Sequence, residues 1–253
     1  MSVWDSVVGQ LVVPTMRQAV LEAASLVDGG ASSAEVTQAM THAWLVTGPP
    51  GSGRSVLARA FAAALQCSDP VPGCGTCRGC RSALAGSHPD VRLIVTDELA
   101  IKVDAVRELV GAAALRPAEG RWQVIVVEDA DRLTDEAVDA LLLSVEEPPS
   151  RTVWVLCAPP LEAVPPTNRS RCRVVTQRTP PSADVAAFLV SEGVDPATAS
   201  FAARAAQGHI GRARALATDE NARRNRDAVL RLPTRLSDPP SALASAAALL
   251  EAA

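Results

Sequence analysis

Residues 48–55, GPPGSGRS, have the types and spacing of a phosphate-binding loop. The glycines Gly48, Gly51 and Gly53 let backbone N–H groups curl around phosphate oxygens, and Ser55 is placed to ligate Mg²⁺. Arg54 stands where such a loop carries lysine, and a planar guanidinium does not replace a compact ammonium at a tight site. We therefore expect binding of ATP or ADP with Mg²⁺ that is weak or absent. The alternative is a ligand-free turn between a strand and a helix.

An acidic pair, Glu128 and Asp129, follows the apolar run VIVV. A P-loop ATPase needs an aspartate that holds the metal and then a glutamate that activates the attacking water. Here the order is reversed, so each carboxylate is displaced by a methylene, and hydrolysis tolerates errors of about 1 Å poorly. The pair is interpreted either as an impaired nucleotide-metal site or as a solvated acidic turn.

Four closely spaced cysteines form the pattern C-x6-C-x2-C-x2-C, with proline and glycine between them: Cys67, Cys74, Cys77 and Cys80. Short x2 spacings bring thiolates around one ion, so the pattern predicts a structural, tetrahedral Zn²⁺ site. A disulfide framework and an iron–sulfur cluster are the alternatives. The remaining cysteines, Cys157 and Cys172, are predicted to be buried thiols.

The elements that position these residues follow from hydrophobic periodicity. Apolar runs of strand length alternate with helical patterns, which is typical of a parallel α/β sheet. Five strands are predicted at 42–47, 91–95, 122–127, 152–157 and 173–177, and helices at 15–28, 54–66, 103–114 and 134–146. The glycine-rich loop then follows the first strand, and the acidic pair follows the third.

The composition is that of a soluble globular protein, with 48% hydrophobic and 21% charged residues and no apolar stretch that could span a bilayer. The N-terminal residues lack the pattern of a secretory signal, so we expect a cytoplasmic protein with reduced cysteines. A net charge of −4 argues against a protein that binds nucleic acid mainly through electrostatic attraction between its overall charge and the phosphates. Lys102 is the only lysine, so Arg54 is also consistent with a general preference for arginine.

The chain changes character at the proline-containing segment 179–182. Beyond it the pattern is helical, with helices predicted at 183–192, 196–207 and 211–217. We therefore expect a nucleotide-binding-type domain at 1–178, with the cysteine knuckle at 67–80, and a small helical lid at 179–218. Residues 219–253 are rich in alanine and arginine and are interpreted as the start of a truncated helical domain.

The order of these motifs resembles the AAA+ module of bacterial replicative clamp loaders. A V-x-G-Q box at 7–10 precedes the P-loop and the cysteine knuckle, a helix ends in L-L-x-x-x-E-E-P-P at 141–149, and S-R-C follows at 170–172. The match covers nearly the whole chain, and the knuckle together with S-R-C is specific to this family. The resemblance implies an AAA+ P-loop sheet with strand order 5-1-4-3-2, a three-helix lid and a helical collar.

Within this family the chain resembles the delta prime stator subunits rather than the tau/gamma motor subunits of DNA polymerase III. Motor subunits carry a P-loop lysine, acids in the order Asp-Glu, a polar sensor at the end of the fourth strand and a sensor arginine in the lid. This chain departs at all four places: Arg54, Glu128-Asp129, Cys157-Ala158-Pro159-Pro160, and Gly211 one residue before Arg212.

The resemblance implies that Arg171 of S-R-C acts in trans as an arginine finger in a neighbouring subunit's nucleotide site. It also implies tau/gamma and delta subunits as partners and, through the complex, the sliding clamp and primer–template DNA in DNA replication, with no membrane partner and no ATP turnover alone. The alternative for Arg171, taken by itself, is a solvated surface arginine. The rival functions are a self-sufficient tau/gamma-type ATPase that uses Arg54 and Glu128, and a zinc-dependent nucleic-acid module. The knuckle offers that module only Arg78 and Arg81 and no stacking aromatic.

Overall fold

A computed structural model describes residues 2–27, 40–235 and 247. The chain divides into two compact units, Met1–Pro180 and Pro181–Ala253. Among the described residues, we find no apolar helix of the length that a membrane span requires.

The first unit is built on a five-stranded parallel sheet. Its strands are β1 (Ala43–Thr47), β2 (Val91–Ile94), β3 (Gln123–Val127), β4 (Thr152–Ala158) and β5 (Arg173–Thr176), in the order β2-β3-β4-β1-β5. All five predicted strands and the implied strand order are confirmed. Since every pair is parallel, all five strands end at one edge of the sheet, which we call the carboxyl edge, and begin at the opposite amino edge.

Helices cover both faces of the sheet, which explains why β1, β3 and β4 are buried along their whole length. Alternate side chains of these strands enter two separate cores. Trp44 faces one core and packs edge-on against Phe61, with ring centroids 5.3 Å apart. Trp154 faces the other core, together with Leu141 and Leu109.

The helices of the first unit are α1 (Val13–Val27), α2 (Arg54–Leu65), α3 (Arg78–Leu84), α4 (Val103–Ala113), α5 (Asp135–Glu146) and α6 (Pro166–Arg169). The four predicted helices are confirmed, and Thr134 caps α5 by accepting a hydrogen bond from the N–H of Ala137 at 3.3 Å. Helices α3 and α6 were not predicted because each has two turns or fewer, too short to show a 3.6-residue periodicity.

The second unit is helical. It contains α7 (Ser182–Ser191), α8 (Pro196–Ala205), α9 (Ile210–Thr218) and α10 (Glu220–Arg235), so the three predicted lid helices are confirmed. Asp195 caps α8 by accepting from the N–H of Thr198 at 2.9 Å, and His209 caps α9 by accepting from the N–H of Arg212 at 3.2 Å. Helix α10 lies in the segment 219–253, whose assignment to a further helical domain stays a prediction. The rest of that segment, apart from Ala247, lies outside the described residues.

A buried carboxylate, Asp90, fixes the loop between α4 and β3 at the start of β2. It is 2% exposed and accepts hydrogen bonds from the N–H groups of Ala118 at 2.6 Å, Glu119 at 2.9 Å and Gly120. Burial raises the pKa of Asp90, but these three hydrogen bonds more than compensate, so the pKa lies below the ordinary value. The charged form of Asp90 therefore stabilises the fold.

We predict that Asp90→Asn lowers the free energy of unfolding at pH 7 by about 1–3 kcal/mol, because an amide cannot accept all three hydrogen bonds. The depressed pKa makes the contribution of Asp90 fully present above its unfolded-state pKa of about 4 and lost as the pH falls through the folded-state value. Denaturant unfolding of both proteins between pH 7 and pH 2 should show a difference that shrinks only at the acidic end. The exposed Asp139→Asn is the control, and a difference independent of pH would contradict this account.

Candidate functional site

The glycine-rich loop connects β1 to α2 in the conformation that a phosphate-binding loop requires. Gly48, Gly51 and Gly53 all have positive φ, and Gly53 is the left-handed residue directly before α2. A Cβ on Gly48 would lie 2.7 Å from the carbonyl oxygen of Gln177, so the loop packs closely against the end of β5. Ser55 lies in the first turn of α2 and is half-buried.

The side chain of Arg54 folds back onto its own loop. Its Nη1 donates a hydrogen bond to the carbonyl oxygen of Gly48 at 2.6 Å, and its Nη2 lies 4.0 Å from Oδ1 of Asp129. Only 13% of the side chain is exposed. The guanidinium therefore binds the loop and an acidic side chain, rather than standing clear of them as a free donor for phosphate.

The acidic pair follows β3 at the carboxyl edge, as predicted, but an arginine that the sequence analysis missed is bound to it. Oε1 of Glu128 accepts from Nε of Arg59 at 3.1 Å and lies 3.0 Å from its Nη2. Glu128 is buried, and Asp129 adopts a left-handed conformation with φ 53°. Arg59 is four residues after Ser55 on α2, one helical turn further from the loop, and that spacing was the only available signal.

Strand β4 lies between β1 and β3 and brings no polar side chain to this edge. Cys157 is buried, and burial, followed by the nearby Glu128 carboxylate, raises the pKa of its thiol to about 12. The carbonyl of Pro159 accepts a hydrogen bond from the N–H of Gly48 at 3.1 Å, so the end of β4 supports the loop through its backbone.

The glutamine of the V-x-G-Q box supports the loop from its other side. Nε2 of Gln10 donates to the carbonyls of Ser52 at 3.1 Å and Arg178 at 2.8 Å, and its Oε1 accepts from the N–H of Arg178 at 3.1 Å. One buried amide therefore ties the loop to Arg178, two residues after the end of β5. Hydrogen bonds within the chain thus support the shape of the loop.

The four cysteines of the knuckle come together into one cluster: Cys67, Cys74, Cys77 and Cys80, whose Sγ atoms all lie within 4.8 Å of one another. Sγ of Cys67 is 3.6 Å from that of Cys74 and 3.8 Å from that of Cys77. Four sulfurs about 2.3 Å from one tetrahedral ion stand about 3.8 Å apart, so the donor set fits a metal ion. A disulfide bond of about 2.05 Å is not present, and all six cysteines are free.

Hydrogen bonds orient the sulfurs and favour the thiolate form that a metal requires. Sγ of Cys74 accepts from the hydroxyl of Thr76 at 3.5 Å and the N–H of Cys77 at 3.3 Å, which lower the pKa of Cys74 to about 6. Sγ of Cys77 accepts from the N–H of Cys80 at 3.4 Å and so caps α3. Burial raises the pKa of Cys80, a cost that a bound cation would offset.

Arg171 lies in the turn between α6 and β5, as the S-R-C motif predicted, but its side chain contacts its own unit. Nη1 donates to the carbonyl of Thr167 at 2.7 Å, and Nε lies 3.0 Å from Oε2 of Glu146, an ion pair without linear hydrogen-bond alignment. The side chain is 30% exposed. Glu146 belonged to a motif recognised in the sequence, but nothing there assigned it to Arg171.

The predicted residues therefore occupy three places. The glycine-rich loop and the acidic pair meet at the carboxyl edge, and the cysteine cluster follows the end of α2. Arg171 precedes β5 at the amino edge, since Arg173 pairs with Trp44 at the start of β1, whereas Thr176 pairs with Thr47 just before the loop. The structure does not bring Arg171 to its own P-loop.

Comparison with known proteins agrees with this architecture. A point mutant of Thermotoga maritima RuvB superposes with a TM-score of 0.54 at 15% identity, covering 94% of this chain and 69% of that one. The structure described as the T. maritima RuvB Holliday junction branch migration motor gives a TM-score of 0.52 at 15% identity, over 94% and 68%. These likenesses show the AAA+ fold.

Proteins with similar sequences identify the family more narrowly than the fold does. The delta' subunit of DNA polymerase III from Escherichia coli K12 is 36% identical over 185 residues, 71% of this chain and 55% of its own length. The delta' subunit from Pseudomonas aeruginosa is 38% identical over 52% of this chain and 41% of its own. The tau/gamma subunit from Haemophilus influenzae is 33% identical over 67% and 26%. The chain spans about half the length of the delta' relatives it matches.

A family model described as "DNA polymerase III, delta subunit" matches residues 31–180, more than half of the chain. The family model and the two delta' relatives indicate the same family, and a tau/gamma subunit is also related to the chain. The chain belongs to the DNA polymerase III delta subunit family, in which these relatives assign it to the delta prime type.

Proposed function

We propose that this chain is a stator subunit of the delta prime type in a bacterial clamp loader. It presents Arg171 in trans to the nucleotide site of a neighbouring motor subunit during ATP-driven loading of the sliding clamp in DNA replication. The observation that carries the proposal is the position of Arg171 at the amino edge, with the chain's own P-loop at the carboxyl edge.

The two edges are separated by the length of β5, four residues or about 13 Å. An arginine that stabilises the γ-phosphate must touch its oxygens. Arg171 is too far from its own P-loop to do so, but it is partly exposed at a surface where a second subunit can approach. This arrangement supports a role in trans over a role in cis.

The chain's own nucleotide site supports binding better than hydrolysis. The loop of Gly48, Gly51 and Gly53 can cradle phosphate, with Ser55 available to Mg²⁺. Glu128, however, is paired with Arg59, so a metal or a water would have to displace a guanidinium to reach it. We propose that ATP or ADP binds weakly or not at all and that the isolated chain hydrolyses neither.

The cysteine cluster is proposed to hold one structural Zn²⁺. Its four thiolates fill a tetrahedral coordination sphere, which leaves no open position for a substrate. The cluster joins the end of α2 to the start of α3, and Ser2 and Val3 bond to the carbonyl of Gly73 within it. A bound zinc ion would therefore secure both the knuckle and the N-terminal segment.

The proposed partners are the tau/gamma and delta subunits of the clamp loader. Contact with the sliding clamp and with primer–template DNA would be made through the assembled complex. The names of the relatives support this assignment, since both delta' and tau/gamma subunits of DNA polymerase III match the chain.

We predict that Arg171→Ala lowers the ATPase rate of the reconstituted complex by at least about tenfold at the site it serves, because the γ-phosphate loses a guanidinium. Arg171→Lys should recover little of this loss, since an ammonium lacks the planar fork. Steady-state ATPase with clamp and primed DNA is the measurement, and the nearby Arg169→Ala is the control. An unaltered rate, with normal assembly, would refute the role of Arg171.

We also predict that the isolated chain shows no ATP turnover and that Arg54→Lys does not create any. Restoring the P-loop lysine leaves Glu128 paired with Arg59 and leaves Cys157 at the end of β4. Phosphate release and titration with a fluorescent ATP analogue test turnover and binding separately. Turnover by the unaltered chain that Arg54→Ala abolishes would instead support the self-sufficient tau/gamma-type ATPase.

For the cysteine cluster we predict one zinc per chain by elemental analysis. Cys77→Ser should lose the metal and lower the free energy of unfolding by about 3 kcal/mol, or about 10 °C in melting temperature. A serine hydroxyl can still cap α3, so the loss would report the metal and not the cap. Cys172→Ser is the matched control and should retain the zinc. A metal-free protein of unchanged stability would exclude a structural zinc.

A further inference from the structure

We propose that Glu146 is a positioning residue for Arg171: it holds the guanidinium in place at the amino edge before a neighbouring subunit docks. This inference rests on the proposed role of Arg171 in trans. It assigns a function to a carboxylate that packing and the chain's own nucleotide site leave unexplained.

The contacts of Arg171 leave part of its donor set unused. Glu146 lies against Nε, and the carbonyl of Thr167 accepts from Nη1. Among the described residues, the hydrogen bonds of the Arg171 side chain do not involve Nη2. A guanidinium carries five N–H donors in a rigid plane. Contacts that hold Nε and Nη1 therefore also define the direction in which the N–H groups of Nη2 point. Arg171 is thus held by its own chain, and the N–H groups of its Nη2 are available to an external anion.

Glu146 comes from a rigid part of the fold. It is the last residue of α5, the N–H of Glu147 bonds back to the carbonyl of Leu143 at 2.9 Å, and Pro148 then prevents the helix from continuing. The backbone that carries the Glu146 side chain is therefore held at the end of α5.

Helix electrostatics do not account for a carboxylate at this place. The C-terminal end of a helix carries partial negative charge, so Glu146 is disfavoured there unless a cation offsets it. The guanidinium of Arg171 supplies that positive charge at 3.0 Å. With side chains 48% and 30% exposed, the pair contributes little to folding, so its consequence is expected in the orientation of Arg171 and not in stability.

Orientation matters because an unrestrained arginine loses many rotamers when it is immobilised against a phosphate. Holding Arg171 in advance removes part of that loss, and the effect should appear in the transition state, where the guanidinium acts. Removing the carboxylate should lower kcat of the neighbouring site and leave the KM for ATP unchanged.

The test uses the full chain reconstituted with the clamp-loader subunits, clamp and primed DNA. We expect Glu146→Ala to lower kcat by about three- to tenfold, and Glu146→Gln, which keeps an acceptor oxygen, to lower it by less. Glu147→Ala removes the adjacent carboxylate and should leave kcat unchanged. Thermal unfolding and assembly of all variants should match the unaltered chain.

A double-mutant cycle separates positioning from a merely structural role. In the Arg171→Ala background, Glu146→Ala should have no further effect, because there is no arginine left to position. Unchanged or faster turnover by Glu146→Ala, beside a slow Arg171→Ala complex, would overturn the positioning role while leaving the proposed function intact. An Arg171→Ala complex as fast as the unaltered one would overturn both.

Discussion

All five strands of a parallel sheet must end at the same edge, and the chemistry of this protein depends on that constraint. The segments that follow β1, β3, β4 and β5 meet there, although they are far apart in the sequence. This meeting places Arg54 beside Asp129, Arg59 beside Glu128, and Gln10 between the loop and Arg178. The same constraint sends residues that precede strands to the opposite edge, which is where Arg171 and Glu146 lie.

Arginine–carboxylate pairs determine what each edge can do. At the carboxyl edge, two arginines form ion pairs with the acidic groups that bind the metal and activate water in a hydrolytic site. At the amino edge, Glu146 pairs with Arg171, whose hydrogen bonds among the described residues do not involve Nη2. The chemistry of the pairs is the same, but the carboxylates differ in burial: the side chain of Glu128 is 11% exposed and that of Glu146 is 48% exposed. The guanidinium of Arg59 gives a more direct reason than the change at Arg54 for doubting hydrolysis by the chain itself.

The cysteine cluster is separate from both edges of the sheet. The loop from Cys67 to Cys77 contains little that could form a hydrophobic core, and its turns are instead organised around four sulfurs and the N–H groups that point at them. Its position between α2 and α3 leaves the carboxyl edge unobstructed. The knuckle can therefore stabilise the first unit without taking part in the chemistry of either edge.

The sequence alone determined the five strands, seven of the helices, the conformation class of the glycine-rich loop and the grouping of the four cysteines, because each of these depends on local periodicity or short spacing. It also supported the family, through motifs that are short and ordered along the chain. The partners of the charged side chains were decided only by the tertiary structure. Arg59 with Glu128 and Arg171 with Glu146 join residues 69 and 25 positions apart, and no local pattern encodes which carboxylate a flexible guanidinium reaches. Burial and the position of each residue at the carboxyl or the amino edge of the sheet determine which carboxylate each guanidinium contacts.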